Sequence, residues 1–360
     1  MTPPDQNEMS RRSRLRLGDT LLRWGARASG VTVMLMLAAL LVVLTWSALP
    51  SIRTFGLSFL TSTQWRANEL ERPMRDAAGK IVLEDGEIVT EVLPPVFGAG
   101  PVIFGTAMSA ALALIFAVPL SLGAAIFLIR VAPKLKIAAP LSFLIEFLAA
   151  IPSLAYGIWG LFVLAPLLQN HVEPAIARLL GDVPFLQWMF YETVKTASGD
   201  VNRQLTLTGR DMLCGGLILA IMIIPIITAI SRDILAAVPR VQIEGTVAMG
   251  ATWWQSSWAM LRYSRSGLFG AVMLGFARAA GETMAVTMVI GNNNNINLSP
   301  FAPAQTMASL LANEFAEASS TLHRSALLQV ALILLIMSLL LNIVARYFVV
   351  GNASRSSAAH

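Results

Sequence analysis

Two ionisable residues stand where an apolar helix ordinarily carries none. From Leu268 to Ile290 the chain is almost wholly apolar, yet Arg278 and Glu282 fall near the middle of that run. Four residues apart, they would share one face of a continuous helix. A charged side chain at bilayer depth costs about 2.5–3.5 kcal/mol even on a lenient insertion scale, so one is rarely present without a task. A guanidinium presents several donors in a planar fork suited to the oxygens of an anion, which makes Arg278 and Glu282 candidates for a permeation path. The alternative is a buried ion pair that fixes helix packing. Arg preceding Glu is the weaker helical order and argues mildly against simple helix support.

The stretch before this run is of another kind. Arg240-Val-Gln-Ile-Glu244-Gly-Thr-Val-Ala-Met-Gly250-Ala-Thr-Trp-Trp254 holds enough charge and glycine to lie outside the bilayer and reads as a docking loop. Glu244 puts a charge on a short helix, and Gly250 permits a sharp change of direction before the next helix begins near Trp253. An ordinary solvated loop is the competing reading.

These residues must be positioned by membrane helices. The chain has 360 residues, of which 56% are apolar and 13% charged, and its mean hydropathy is +0.66. That composition lies far from soluble domains and describes a polytopic membrane protein surrounded by lipid. The net charge of +5 comes from arginines flanking apolar segments, which reports topology and not a nucleic-acid partner. Cys214 is the single cysteine, so no disulfide framework or cysteine metal cluster exists, and His171, His323 and His360 have no metal-ligand spacing. No phosphate-cradling P-loop and no catalytic triad is present, so catalytic residues, a metal and enzyme activity are not expected, and any ATP energy must come from a partner.

In chain order, residues 1–30 form a polar arm whose Arg11, Arg12, Arg14, Arg16, Arg23 and Arg27 hold it on the cytoplasmic side. Residues 31–49 are the first span, read as a retained signal anchor because the run is too long for a cleaved leader. Residues 50–97 form an external insertion, acidic through residues such as Glu69, Glu84 and Glu91. Within it, residues 80–92 set β-formers on both sides of Asp85-Gly86, a dipeptide suited to a hairpin turn, with a disordered acidic loop as the alternative. Residues 98–350 hold five more spans, near 102–129, 137–168, 212–230, 268–290 and 325–348. Arg130, Lys134 and Lys136, then Arg232, Arg240, Arg262 and Arg265, mark the cytoplasmic loops, the second of which covers 232–266. Residues 169–211 are external, where Trp188, Phe190 and Tyr191 suit an interfacial helix. Glu146, in the third span, is read as lying near an end or facing protein. The tail 351–360 is cytoplasmic, giving an all-α membrane protein of six transmembrane helices with both termini inside.

Glu244-Gly-Thr-Val-Ala-Met-Gly250 resembles the EAA---G coupling motif of ABC importer permeases, with Gly245 in place of the first alanine. Glu146-Phe-Leu-Ala-Ala-Ile-Pro-Ser-Leu-Ala-Tyr-Gly-Ile-Trp-Gly-Leu-Phe-Val-Leu-Ala-Pro166 and Gly275-Phe-Ala-Arg-Ala-Ala-Gly-Glu-Thr-Met-Ala-Val-Thr-Met-Val-Ile-Gly-Asn292 are similar to the PstC-type subunit of phosphate-transport permeases. The Met284-Ala285-Val286 continuation separates them from the PstA-type subunit, which has an Ala-Pro pair there. The likeness covers about residues 95–350, and also Phe59-Leu60-Thr61-Ser62 with Trp65.

The resemblance implies a type I ABC importer permease fold in the bacterial inner membrane. It also implies a second permease subunit of PstA type, an ATPase dimer of PstB type and a periplasmic phosphate-binding protein of PstS type. Arg278 and Glu282 match the charged pair that the family associates with phosphate passage, and Glu244, Gly245, Ala248 and Gly250 match its ATPase-coupling residues. No cofactor is implied for this chain, since ATP is used by the ATPase. A permease for another anion and a membrane scaffold for phosphate sensing are the alternatives. Two departures stand out: the Leu-Pro that closes the coupling motif falls on Arg262-Tyr263, and the external stretch 66–93 is longer than family members usually have.

Overall fold

A backbone in lipid must satisfy its hydrogen bonds internally, so apolar segments of this length become helices. The computed structural model describes residues 6–67, 70–73, 83–84, 87–88, 90–181, 183–196 and 199–357. The first apolar run is the middle of a longer helix, α1 (Gln6–Phe55), which starts within the polar arm and runs past Pro50. A short α2 (Ser58–Thr61) follows.

In the insertion, β1 (Leu70–Pro73) pairs antiparallel with β4 (Thr90–Leu93), while β2 (Leu83–Glu84) pairs with β3 (Glu87–Ile88) in the register Leu83 to Ile88 and Glu84 to Glu87. The Asp85-Gly86 dipeptide expected to turn between β2 and β3 lies outside the described residues.

α3 (Gly100–Arg130) is followed by α4 (Ala138–Ala150). A helical run over residues 153–180 comes next, built from α5 (Ser153–Trp159), a π turn (Gly160–Leu164), α6 (Ala165–Leu167), a second π turn (Leu168–Val172) and α7 (Glu173–Leu180). The third span expected over 137–168 is therefore interrupted. Ile151 is extended, and Pro152 has no N–H to continue a ladder. The aromatic cluster expected to be an interfacial helix is instead a 3-10 turn (Gln187–Met189) leading into an antiparallel pair, β5 (Tyr191–Thr196) and β6 (Gly199–Gln204). Thr193, Val194 and Thr196 are β-branched and suit the ladder. Phe190 turns inward and stacks on Phe301, centroids 5.1 Å apart.

The remaining helices are α8 (Met212–Ala236), α9 (Arg240–Ala248), α10 (Trp253–Tyr263), α11 (Arg265–Ala280), α12 (Met284–Val289), α13 (Met307–Glu314) and α14 (Thr321–Ser357). Among the described residues five helical segments are long and apolar enough to cross a membrane: Leu22–Phe55, Gly100–Arg130, Ser153–Leu180, Met212–Ala236 and Thr321–Tyr347. The expected span 268–290 is not one of them, because it divides into α11 and α12.

The core lies where α3 packs along α8. Ala110, Ala113 and Ala117 of α3 are fully buried beside Leu219, Ile223 and Ile227 of α8, and small side chains are what let two membrane helices approach closely. A second cluster joins α1, α2, α13 and α14 around Phe59, Phe97, Met307 and Leu327. Its polar rim is ordered too: Trp65 Nε1 donates to Glu314 Oε2 at 2.8 Å, and His323 Nε2 lies 3.0 Å from the same oxygen. α1 is tied to α14 by Ser51, whose hydroxyl donates to Gln329 Oε1 at 2.6 Å.

Candidate functional site

α11 has two faces. Ala271, Gly275 and Ala279, spaced by four, are buried in the bundle, whereas Leu274 and Arg278 fall on the neighbouring stripe and are exposed. Arg278 lies about 20 Å along the helix axis from Arg265 at 1.5 Å per residue. It sits in the last turn of the helix, where free carbonyls favour a cation.

Glu282 does not share that face. The helix closes at Ala280, with Gly281 N–H bonding Ala277 O at 3.2 Å and Glu282 N–H bonding Ala279 O at 3.3 Å, a tightened final turn. Glu282 then stands in the break between α11 and α12, with 8% of its surface exposed. The one-face reading fails because it assumed an unbroken helix. Among the described residues no ion pair joins Arg278 to Glu282, so the geometry also disfavours the packing-pair alternative. What it offers is an open guanidinium with a carboxylate set back from it at a helix break, an arrangement able to receive an oxyanion through the fork of N–H donors.

The loop read as a docking element forms a short helix of its own. α9 buries no residue, and Glu244, Gly245, Ala248 and Gly250 are all exposed along it and just after it. Gly250 has a φ of +84°, which an L side chain adopts only at a cost, and a Cβ built there would touch nothing within 4 Å. Its glycine therefore serves the turn and not a tight fit. The turn delivers the chain to Thr252, which forms a capping box with Gln255 and starts α10. α10 is held to α3 by Arg130, whose guanidinium donates to Ser257 Oγ at 2.8 Å and lies 5.3 Å over the Trp253 ring. α9 meets α10 where the Thr246 hydroxyl donates to Ser256 Oγ at 3.2 Å, so α9, α10 and α3 are in contact in turn. Glu146 of α4 is exposed and accepts from Arg232 of α8 at 3.2 Å, which gives it a partner outside the path.

One constellation has no counterpart in any local sequence pattern. The fold brings together Glu173, first residue of α7, and Asp211, which caps α8; both are 0% exposed. They come from separate elements, so no spacing announces them. The one local signal is Asp211 directly ahead of an apolar run, an N-cap pattern.

The chain matches the family described as binding-protein-dependent transport system inner membrane component over residues 117–351. It is 38% identical over 346 residues to the phosphate transport system permease protein PstC of Mesorhizobium japonicum, an alignment covering 96% of this chain and 94% of that protein. It is 39% identical over 321 residues to the PstC of Pasteurella multocida, covering 89% and 88% of the two chains. Among solved structures, the inward-facing MetNI methionine ABC transporter aligns at a TM-score of 0.47 with 14% identity, covering 70% of this chain and 94% of that one.

Proposed function

This chain belongs to the binding-protein-dependent transport permeases and, within them, to the PstC-type phosphate permeases, and on that premise we propose that it lines one side of the path by which an ATP-driven importer moves inorganic phosphate inward. It is a multi-pass inner-membrane transporter subunit and not an enzyme. Its partners are a second permease and an ATPase, which we assign as PstA-type and PstB-type subunits, with a PstS-type protein delivering phosphate from the periplasm. This chain binds no cofactor, since ATP is hydrolysed by the ATPase. In the topology that fits this role the N-terminal arm, the loop 232–266 and the tail 351–360 are cytoplasmic, and the insertion 50–97 is periplasmic. The chain then crosses six times, with α11 and α12 together as the fifth crossing.

The observation that carries this reading is Arg278, an exposed cation on the outward stripe of an interrupted membrane helix. A phosphate leaving water needs a fixed counter-charge, and the second permease facing that stripe would close the path around it. Glu282, set back in the break, supplies an opposing charge that keeps the anion from being held too tightly. At the other end Glu244, Gly245, Ala248 and Gly250 seat α9 in the ATPase, and Arg130 passes the motion to α3.

The test is Arg278→Gln in a strain lacking the native chain. Phosphate uptake is expected to fall to background while the protein's membrane level and its co-purification with the other subunits stay at wild-type values. Normal uptake by that variant would remove Arg278 from the path. Disappearance of the protein from the membrane would make the residue structural.

A further inference from the structure

Glu173 and Asp211 are fully buried, yet each has one oxygen, Oε1 and Oδ2 respectively, that meets no donor. The other oxygens are engaged: Gly209 N–H donates to Glu173 Oε2 at 3.3 Å, and Cys214 N–H donates to Asp211 Oδ1 at 2.8 Å. Gly209, whose amide meets Glu173, stands two residues ahead of Asp211, so both carboxyls are gathered on the one short segment 209–214. Ionised carboxylates only accept, so two of them facing one another in a dry site leave both free oxygens unsatisfied and both charges opposed. One proton removes both problems.

No cation takes its place among the described residues. The helical run 153–180 carries His171 and Arg178, and the segment leading into α8 carries Arg210. All three are exposed, and none forms an ion pair with either carboxyl. Tyr156 on the same helical run bonds elsewhere, to Leu148 O. Cys214 touches the pair only through its amide, and residues 291–304 contribute no titratable group.

We propose that Glu173 and Asp211 hold a single proton between them, and that this carboxylic acid to carboxylate bond is the clasp that positions the outer rim of the permease and loosens when the proton leaves to water at alkaline pH. The surroundings give the clasp its leverage. Directly beyond Asp211, Met212 N–H bonds Ala302 O at 3.1 Å and Leu213 N–H bonds Pro300 O at 2.8 Å. Gly291 packs against Arg210 O so closely that a Cβ there would lie 2.6 Å from it. The segment 209–213 is therefore wedged between the helical run ending in α7 and the loop that leaves α12, the helix following the break at Glu282. These are positioning residues for the path and not part of it.

The expected pH range follows from Asp211, whose carboxyl is pushed up from 3.8 to about 8, chiefly by burial, with the Cys214 amide opposing and the charge of Glu173 adding. The folded protein keeps that proton through a range in which the unfolded chain has lost it. Stability contributed by the protonated pair is full below the ordinary carboxyl value and falls as pH rises, with the loss complete above about 8.

The experiment uses the purified transporter complex and needs no phosphate, so it stands or falls separately from the transport reading. Infrared difference spectra near pH 7 should show the carbonyl stretch of a protonated carboxyl in the wild type, absent from Asp211→Asn. Melting measured from about pH 6 to about pH 9 should fall by several degrees in the wild type and stay nearly flat in Asp211→Asn. The asparagine amide donates to Glu173 at every pH while its oxygen keeps the Cys214 N–H. Should that variant not assemble, Glu173→Gln, which removes the neighbouring charge and donates to Asp211, should move the fall to lower pH. A wild-type spectrum without the band, or a variant that melts with the wild-type pH slope, would overturn the proposal.

Discussion

Gly250 and Gly209 share a backbone conformation and little else. Their φ angles are +84° and +65°, yet a Cβ on Gly250 would meet nothing within 4 Å while one on Gly209 would lie 2.1 Å from Ala165 O. The acidic residues near them divide in the same way: Glu244 is exposed on α9, and Glu173 is fully buried beneath Gly209. One region is a finished packing seam in which glycine is demanded twice, by conformation and by space. The other is a surface whose shape is set by conformation alone and whose space is left open. The contrast separates residues that hold this chain together from residues that, on the function proposed above, address another chain.

The largest effect should come from filling the seam. Gly209→Val forces a side chain into the carbonyl of Ala165 and into Gln169 Cβ, 3.0 Å from the built position, and strains the backbone as well. Neither obstacle is the end of a flexible side chain. A loss on the order of 4 kcal/mol or more is expected, the size reserved for steric or burial failures, read as loss of the protein from the membrane fraction. Gly209→Ala should fail almost as completely, because the clash is already present at Cβ. Normal abundance of the alanine variant would erase the distinction between the two glycines.

A smaller and different effect is expected at the open turn. Gly250→Val meets no neighbour, so its cost is conformational, about 1–2 kcal/mol for an L residue in this region and more for a β-branched one. The protein should insert and accumulate normally. The turn, however, can no longer aim α10 from α9, and Arg130 then grips a displaced Trp253. The purified complex should either lose the ATPase or hydrolyse ATP without moving phosphate. Wild-type ratios of uptake to hydrolysis on reconstituted complex would mean that the loop does not couple the two.

Much of this was legible in the residues. The long helices follow from apolar length, Gly250 as a turn follows from its neighbours, and the exposure of Glu244 and Ala248 follows from their polar setting. What escaped did so for a physical reason in each case. Hydropathy averages over a span, so the breaks at Pro152 and at Gly281 to Thr283 were hidden inside apolar runs, and Glu282 was placed on a helix face that ends before it. The aromatic cluster near Trp188 has the same composition whether it forms a helix or a turn and ladder, and the β-branched residues beyond it decided the outcome. Glu173 and Asp211 are brought together only by the packing of the segment ahead of α8 against the helical run that ends in α7, which no local pattern encodes. The loop around Gly250 was readable because its turn and its exposure are set by consecutive residues, whereas the seam is assembled from separate elements.

The smallest expected effect sharpens the comparison from its quiet side. Gly245 sits inside α9 in open space, with nothing within 4 Å of a built Cβ and no positive φ to require glycine. In the motif that this loop resembles an alanine stands at that place, so a partner groove shaped for such loops has room for a methyl group. Glycine in a helix interior is destabilising by about 0.5–1 kcal/mol relative to alanine, and α9 buries none of its own residues to offset that. Gly245→Ala should therefore firm α9, leave protein level unchanged, and give uptake and hydrolysis equal to or slightly above wild type. Both rates should be measured on the reconstituted complex beside Gly250→Val. If adding one methyl group at Gly245 uncoupled the transporter, the partner would have to press on α9 there. The open space around this loop would then be a tight contact awaiting its second surface, and the contrast with Gly209 would concern which chain supplies the wall.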